Sequence, residues 1–87
     1  MYTVAYTPAA LKSLQKLNKH TAQLLTAWVG KNLLDCPNPR AHGKGLSANL
    51  AGAWRYRIGD YRIIADINDA TKTILILDIG HRGTIYR

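Results

Sequence analysis

Alternating apolar and charged positions mark the segment 54–62. Between residues 54 and 58, aromatic and aliphatic side chains alternate with Arg55 and Arg57, which is the period-2 pattern of a half-buried strand. A two-residue turn follows at Gly59 and Asp60, because glycine supplies the positive φ that the first position of such a turn needs. The pattern therefore predicts a β-hairpin whose second strand begins directly after this turn.

The first part of the chain has helical periodicity after one short strand, which is expected at residues 2–6. Thr7 and Pro8 are typical of a helix start, since threonine caps helices and proline is tolerated at the first helical position. Leucines then recur at helical spacing, and Thr21 is expected to cap a second helix. Residues 8–34 are therefore predicted to form a helical hairpin.

Prolines at positions 37 and 39 end this helical hairpin, because neither can continue a helix. A polar connector follows at residues 40–53, with a short strand expected near Leu46. The remaining elements are predicted as strands at 53–58, 61–67 and 73–79, a turn at 68–72 and a tail at 80–87. The order of strand, two helices and meander predicts one α+β domain over residues 1–87. Its sheet is mostly antiparallel, and both helices pack on one sheet face.

Charge and cysteine content narrow the class of protein. The 87 residues carry 12 Lys and Arg against 5 Asp, a net charge of +7, which favours a polyanionic partner. A single cysteine forms no internal disulfide and fits the reducing cytoplasm. No signal peptide and no apolar run of about 20 residues is seen, so no membrane association is expected. The histidines and the cysteine lack metal-ligand spacing, so neither a metal site nor a cofactor is expected.

The predicted hairpin places arginines on one face of the sheet. If Ile58 pairs with Tyr61, Arg57 lies directly opposite Arg62, and Arg55 lies on the same face. Like charges facing each other across a sheet are unfavourable by a few tenths to about 1 kcal/mol. Their presence indicates an anionic ligand, although a solvated sheet face with no specific ligand remains the alternative.

The same register argument extends to the last strand. If Ile67 pairs with Thr73, Asp78 lies opposite Arg62, where one carboxylate orients this arginine without neutralising the cluster. The side chains expected to point inward in this register are Tyr61, Ile63, Ala65, Ile67, Leu75, Leu77 and Ile79.

The tail carries further chemistry. Gly80 frees the backbone after the last strand, so the tail can fold back and bring Arg82 and Tyr86 towards the arginines. Arginines bind phosphate oxygens bidentately and can stabilise the charge of a pentacoordinate phosphorane. Tyrosine can stack on a base or take part in proton transfer. Because RNA supplies its own 2′-hydroxyl nucleophile, a face with these groups is suited to cleaving RNA.

In these features the chain resembles the RelE/ParE superfamily of toxin–antitoxin toxins, in its RelE-like branch. The resemblance covers nearly the whole chain and is carried by Leu14-Gln15-Lys16-Leu17, His42-Gly43-Lys44-Gly45-Leu46, the segment 54–62, Gly80-His81-Arg82 and Ile85-Tyr86. It implies a ribosome-dependent endonuclease that cleaves mRNA in the ribosomal A site and inhibits translation. The implied reaction is attack by the 2′-hydroxyl, without a metal ion or cofactor.

The resemblance also implies roles for individual residues. Tyr86 resembles the general base for the 2′-hydroxyl, Arg82 the group that protonates or stabilises the leaving oxygen, and Arg62 a phosphate and transition-state contact. Positions 55 and 57 are lysines in some members; arginine keeps the phosphate binding there but does not titrate near neutral pH. Further contacts to RNA and phosphate are expected from Arg55, Arg57, Lys44 and His81.

Partners are likewise implied by the resemblance. A cognate antitoxin wraps such toxins and inactivates them, operator DNA is bound only through the antitoxin complex, and the substrate is mRNA on the ribosome, with contacts to rRNA. Two alternatives remain open on the sequence. One is a ParE-like inhibitor of DNA gyrase, and the other is a non-catalytic module that binds RNA or rRNA.

Overall fold

The sheet and helices follow the predicted α+β order. The computed structural model describes residues 1–46 and 52–81. Its elements are β1 (Thr3–Tyr6), α1 (Pro8–Lys16), α2 (Lys19–Asn32), a 3₁₀ turn (Pro39–Ala41), β2 (Lys44–Gly45), β3 (Trp54–Ile58), β4 (Tyr61–Asn68) and β5 (Thr73–His81). The five strands lie in the order β1-β5-β4-β3-β2. β1 runs parallel to β5, and the other pairs are antiparallel.

Both helices begin at a capping side chain, but only one cap is the predicted one. The hydroxyl of Thr7 accepts a hydrogen bond from the Ala10 N–H at 3.1 Å at the start of α1. At the start of α2, the Asn18 side chain accepts from the Thr21 N–H at 2.8 Å. The predicted Thr21 cap is therefore wrong: asparagine caps at least as well as threonine, and it stands three residues earlier.

The core lies between the helices and one face of the sheet. Its fully or nearly fully buried members are Tyr2, Ala10, Leu25, Val29, Leu33, Tyr56, Ile63, Ala65, Ile74, Ile76 and Ile79. Burying one such aliphatic or aromatic side chain contributes about 1.5–3 kcal/mol, so this layer stabilises the packing of α1 and α2 on the sheet. Among the described residues, no helix is long and apolar enough to cross a bilayer.

The β3–β4 hairpin has the predicted register. Ile58 pairs with Tyr61 and Arg57 pairs with Arg62, and Gly59 has a φ of +59°. A two-residue turn leaves no freedom in the pairing that follows it. The hairpin therefore fixes which face each arginine occupies.

The register between β4 and β5 differs from the prediction. Asp78 lies opposite Ile64, and the partner of Arg62 is Gly80. The pairing of β4 with β5 begins one residue away from the expected register. A β-bulge then shifts this register by one more residue. The carboxylate of Asp78 accepts a hydrogen bond from the Ser13 hydroxyl at 2.8 Å, so it is directed towards α1.

The buried face of β5 also differs from the prediction. Ile74 and Ile76 are fully buried, whereas Leu75 and Leu77 are only half-buried; Ile79 is buried as expected. All four positions from 74 to 77 are apolar. Such a run has no apolar–polar alternation from which the inward face could be read.

Candidate functional site

Four cations project from the face of the sheet opposite the helices. Arg57 lies directly opposite Arg62, and Lys44 of β2 lies directly opposite Arg55. Paired residues point to the same face, as do residues two apart along a strand. We call Lys44, Arg55, Arg57 and Arg62 the cationic face.

The four members of the cationic face differ in exposure. Arg57 and Lys44 are exposed, whereas Arg55 and Arg62 are half-buried, and the Nε atom of Arg62 is buried. Ile64, the partner of Arg55 in β4, is only 3% exposed although it lies outside the core cluster. Arg55 and Arg62 are therefore more enclosed by neighbouring atoms than Arg57 and Lys44.

The connector before β3 is held in place by side chains. The Trp54 indole N–H donates to the His42 carbonyl at 2.6 Å, and the Tyr56 hydroxyl donates to the Pro39 carbonyl at 2.6 Å. The His42 ring packs edge-on against Trp28 of α2, with centroids 5.7 Å apart. Burial raises the pKa of Tyr56 above its ordinary value, so its hydroxyl stays protonated as the donor. These contacts tie the connector to both β3 and α2 and so position β2.

A second cluster ties the N-terminus and the connector to the β4–β5 turn. The Asp69 carboxylate accepts from the Tyr2 hydroxyl at 2.5 Å and from the Arg40 guanidinium at 3.0 Å. The hydrogen bond from Arg40, followed by that from Tyr2, lowers the pKa of Asp69. The Lys72 ammonium lies 5.0 Å from the centre of the Tyr2 ring. Arg40 is therefore engaged in the fold and is separate from the cationic face.

Of the three remaining predicted site residues, the structure describes His81. His81 pairs with Tyr61, and the two rings are T-shaped with centroids 5.4 Å apart. Because Tyr61 precedes Arg62 on the strand, His81 points to the other side of the sheet from the arginines. Arg82 and Tyr86 lie outside the described residues. The structure thus brings together Lys44 and the three arginines, but not His81.

The role of Trp54 does not follow from the alternating pattern of residues 54–62. The indole holds the connector through His42, and the ring also lies against the connector glycines Gly43 and Gly45. The sequence signal for this contact was the presence of two connector glycines beside a strand that begins with a tryptophan. Among the described residues, no group of three or more His, Cys, Asp or Glu side chains could hold a metal ion.

Sequence comparison finds relatives along nearly the full chain. Residues 4–86 match the family model described as the ParE toxin of type II toxin–antitoxin system, parDE. Toxin RelG of Mycobacterium tuberculosis is 35% identical over 86 residues, which are 99% of this chain and 97% of the relative. Toxin RelE of the same organism is 36% identical over 86 residues, 99% of this chain and 87% of the relative.

Solved structures share the fold. The toxin–antitoxin complex RelBE2 of Mycobacterium tuberculosis matches with a TM-score of 0.85 and 33% identity, covering 93% of this chain and 91% of that chain. The archaeal RelE–RelB complex of Pyrococcus horikoshii matches with a TM-score of 0.64 and 29% identity over 95% and 97% of the two chains. Isolated Escherichia coli RelE, at 19% identity, shares the fold with a TM-score of 0.73 over 99% and 92%.

Proposed function

Because the chain belongs to the ParE toxin family of type II toxin–antitoxin systems and is a toxin of the RelE type, we propose that it is a ribosome-dependent mRNA endonuclease. It cleaves mRNA in the ribosomal A site and thereby inhibits translation. The observation that carries the proposal is the direct pairing of Arg57 with Arg62, beside two further cations. Repulsion within such a group is relieved when phosphate binds between the guanidinium groups.

The proposed reaction uses the RNA as its own nucleophile and requires no metal ion. Tyr86 takes the proton from the 2′-hydroxyl, and the 2′-oxygen attacks the adjacent phosphorus. The bond from phosphorus to the 5′-oxygen breaks, and Arg82 protonates or stabilises this leaving oxygen. Arg62 contacts the phosphate oxygens, whose charge increases in the transition state. The products are a 2′,3′-cyclic phosphate and a 5′-hydroxyl.

The other cations bind the RNA backbone. Lys44, Arg55 and Arg57 neutralise phosphates on either side of the cleaved bond, so affinity falls as salt concentration rises. His81 packs against Tyr61 on the other side of the sheet from these cations, so it takes no part at the cleaved phosphate.

A cognate antitoxin is the proposed partner, since the Mycobacterium tuberculosis and Pyrococcus horikoshii relatives were solved as toxin–antitoxin complexes. The net charge of +7 suits an acidic partner, because complementary charge speeds association. Operator DNA is bound only through the antitoxin complex. The toxin itself acts in the cytoplasm, on mRNA held by the ribosome and with contacts to rRNA.

Mapping of mRNA ends in a translation extract tests the proposal. We expect cuts within translated codons, and 5′ ends that polynucleotide kinase labels without prior phosphatase treatment. Arg62→Gln should abolish the cuts, whereas Lys12→Gln removes one exposed charge from α1 and should leave them unchanged. Intact mRNA in the presence of folded wild-type protein would refute the nuclease proposal. RNA that is bound but uncut would instead identify a non-catalytic RNA-binding module.

Inhibition of DNA gyrase is the second candidate, because the matching family model is named for ParE toxins. A supercoiling assay with purified gyrase separates the two candidates. Inhibited supercoiling with intact mRNA in the extract supports the ParE-like function. Cut mRNA with unaffected supercoiling supports the nuclease.

A further inference from the structure

Gly43 approaches β3 more closely than any other residue type could. It has a φ of +80°, and a Cβ atom added to it would lie 2.1 Å from the Arg55 carbonyl oxygen and 2.8 Å from the Trp54 indole nitrogen. Real Cβ atoms essentially never approach other heavy atoms within 3.0 Å. Because the nearest atom belongs to the backbone of a sheet strand, it cannot rotate away. Any larger residue at position 43 must therefore move the connector off β3.

The Trp54 indole completes this close contact. It donates to the His42 carbonyl at 2.6 Å, and a Cβ atom on Gly45 would lie 3.4 Å from its ring. The connector thus folds around the tryptophan on both sides of Gly43. By contrast, β2 has only two residues, and beyond them the Leu46 N–H donates to the Ala53 carbonyl at 3.0 Å. So short a ladder is weak by itself, and the side-chain contacts of Trp54 and the close approach of Gly43 add to what fixes its register.

We propose that Gly43 and Trp54 are positioning residues for Lys44. Their contact sets β2 in register with β3, so that the Lys44 ammonium stands beside Arg55 and extends the binding surface for the phosphates of single-stranded RNA. A slip of β2 by one residue would turn Lys44 to the opposite face of the sheet. This inference rests on the proposed function, since it says how Lys44 is held in place for its phosphate contact on the same face.

The salt dependence of binding to a short single-stranded oligodeoxynucleotide measures this contact. The probe lacks the 2′-hydroxyl, so it is bound without being cleaved. For single strands, each phosphate contact contributes about −0.7 to the slope of log K against log salt. We expect Lys44→Gln and Gly43→Ala each to reduce the steepness of the slope by about 0.7. The double variant should show no further reduction, because Gly43 acts through Lys44.

Matched variants separate positioning from general damage. Gly52 has a φ of +91° with no atom within 4 Å of an added Cβ, so Gly52→Ala introduces backbone strain without a clash. It should keep the wild-type slope. Trp54→Phe keeps a ring but loses the N–H donor to His42, and it should reduce the slope only when Lys44 is present. This variant also tests the inference if Gly43→Ala proves unfolded by circular dichroism.

Two results would overturn the inference: an unchanged slope in Lys44→Gln, or additive losses when a Lys44 substitution is combined with Gly43→Ala or Trp54→Phe. The outcome is distinguishable from failure of the nuclease proposal. Intact mRNA in the extract together with the expected slopes would refute the nuclease alone. Cut mRNA together with additive losses of slope in the combined variants would refute the positioning role alone.

Discussion

Arg57 and Arg62 face each other directly across the β3–β4 hairpin. Their guanidinium groups repel each other in the free protein, so removing one charge should stabilise the fold while weakening nucleic-acid binding. We expect Arg57→Gln to raise the free energy of unfolding by a few tenths to about 1 kcal/mol. Urea unfolding and oligonucleotide titration measure the two effects.

The control for this prediction is Lys12→Gln, which removes one exposed positive charge from α1 and leaves the hairpin intact. Its stability should be close to that of the wild type. Added salt should stabilise the wild type more than Arg57→Gln, since salt screens exposed charges. A variant Arg57→Gln that is less stable than the wild type, or that binds nucleic acid equally well, contradicts the assignment.

The buried hydroxyl of Tyr56 stabilises the connector. Tyr56→Phe removes its 2.6 Å hydrogen bond to the Pro39 carbonyl and should lower the free energy of unfolding by about 1–3 kcal/mol, because a buried acceptor is left unpaired. Tyr6→Phe is the control: Tyr6 is half-buried, and its hydroxyl forms no hydrogen bond with the described residues. Equal losses in both variants would show that the hydrogen bond contributes nothing.

The raised pKa of Tyr56 predicts the alkaline behaviour of the protein. Burial favours the neutral phenol, so the folded-state pKa lies above that of about 10 in the unfolded chain. The resulting stability is fully present below pH of about 10 and is lost as pH rises from there through the folded-state pKa. Urea unfolding across this range should show a smaller decline for Tyr56→Phe than for the wild type.

The hairpin was predictable and the last strand was not, for one physical reason. A two-residue turn at Gly59 fixes the pairing of its flanking strands, and alternation of apolar and charged residues assigns their faces. In β5 the run from Ile74 to Leu77 is apolar at every position, so it has no alternation to read. The bulge near Leu77 depends on how β5 packs against its neighbours. Because the bulge changes the register, the predicted partner of Asp78 was wrong.

The candidate site also has one part that could be predicted from the sequence and one part that could not. Arg55, Arg57 and Arg62 share a face because their spacing within one hairpin requires it, so the sequence alone was sufficient. The contact of Gly43 with Trp54 joins residues that no tight turn or shared helix relates. No periodic pattern in the sequence indicates such a close backbone approach. Gly43 stood out only as a member of the motif His42-Gly43-Lys44-Gly45-Leu46.

The depressed pKa of Asp69 predicts loss of stability in acid. Hydrogen bonds from Arg40 and Tyr2 favour its carboxylate form, so its contribution is present above the unfolded-state pKa of about 4 and is lost as pH falls through the lower folded-state pKa. Asp69→Asn should therefore show a weaker dependence of stability on pH below about 4. An unchanged pH dependence in Asp69→Asn would contradict this role of the carboxylate.

Two glycines should respond in opposite directions to substitution by alanine. Gly30 lies within α2 with no atom within 4 Å of an added Cβ, so Gly30→Ala should stabilise the fold by about 0.5–1 kcal/mol through helix propensity. Gly59 also has open space but a φ of +59°, so Gly59→Ala should destabilise it by about 1–2 kcal/mol. Thermal unfolding measures both effects, and destabilisation by Gly30→Ala would contradict the first expectation.

Arg62 and Arg57 should differ in their tolerance of lysine. Arg62 is half-buried with a buried Nε, and in the proposed reaction its planar guanidinium contacts the phosphate bidentately. Arg57 is exposed and attracts phosphate chiefly as a charge, a role that lysine also performs. Arg62→Lys should therefore remove most mRNA cleavage in a translation extract, whereas Arg57→Lys should retain most of it. Both variants keep the net charge, so a difference between them reports geometry, and equal activities would assign both arginines to simple charge attraction.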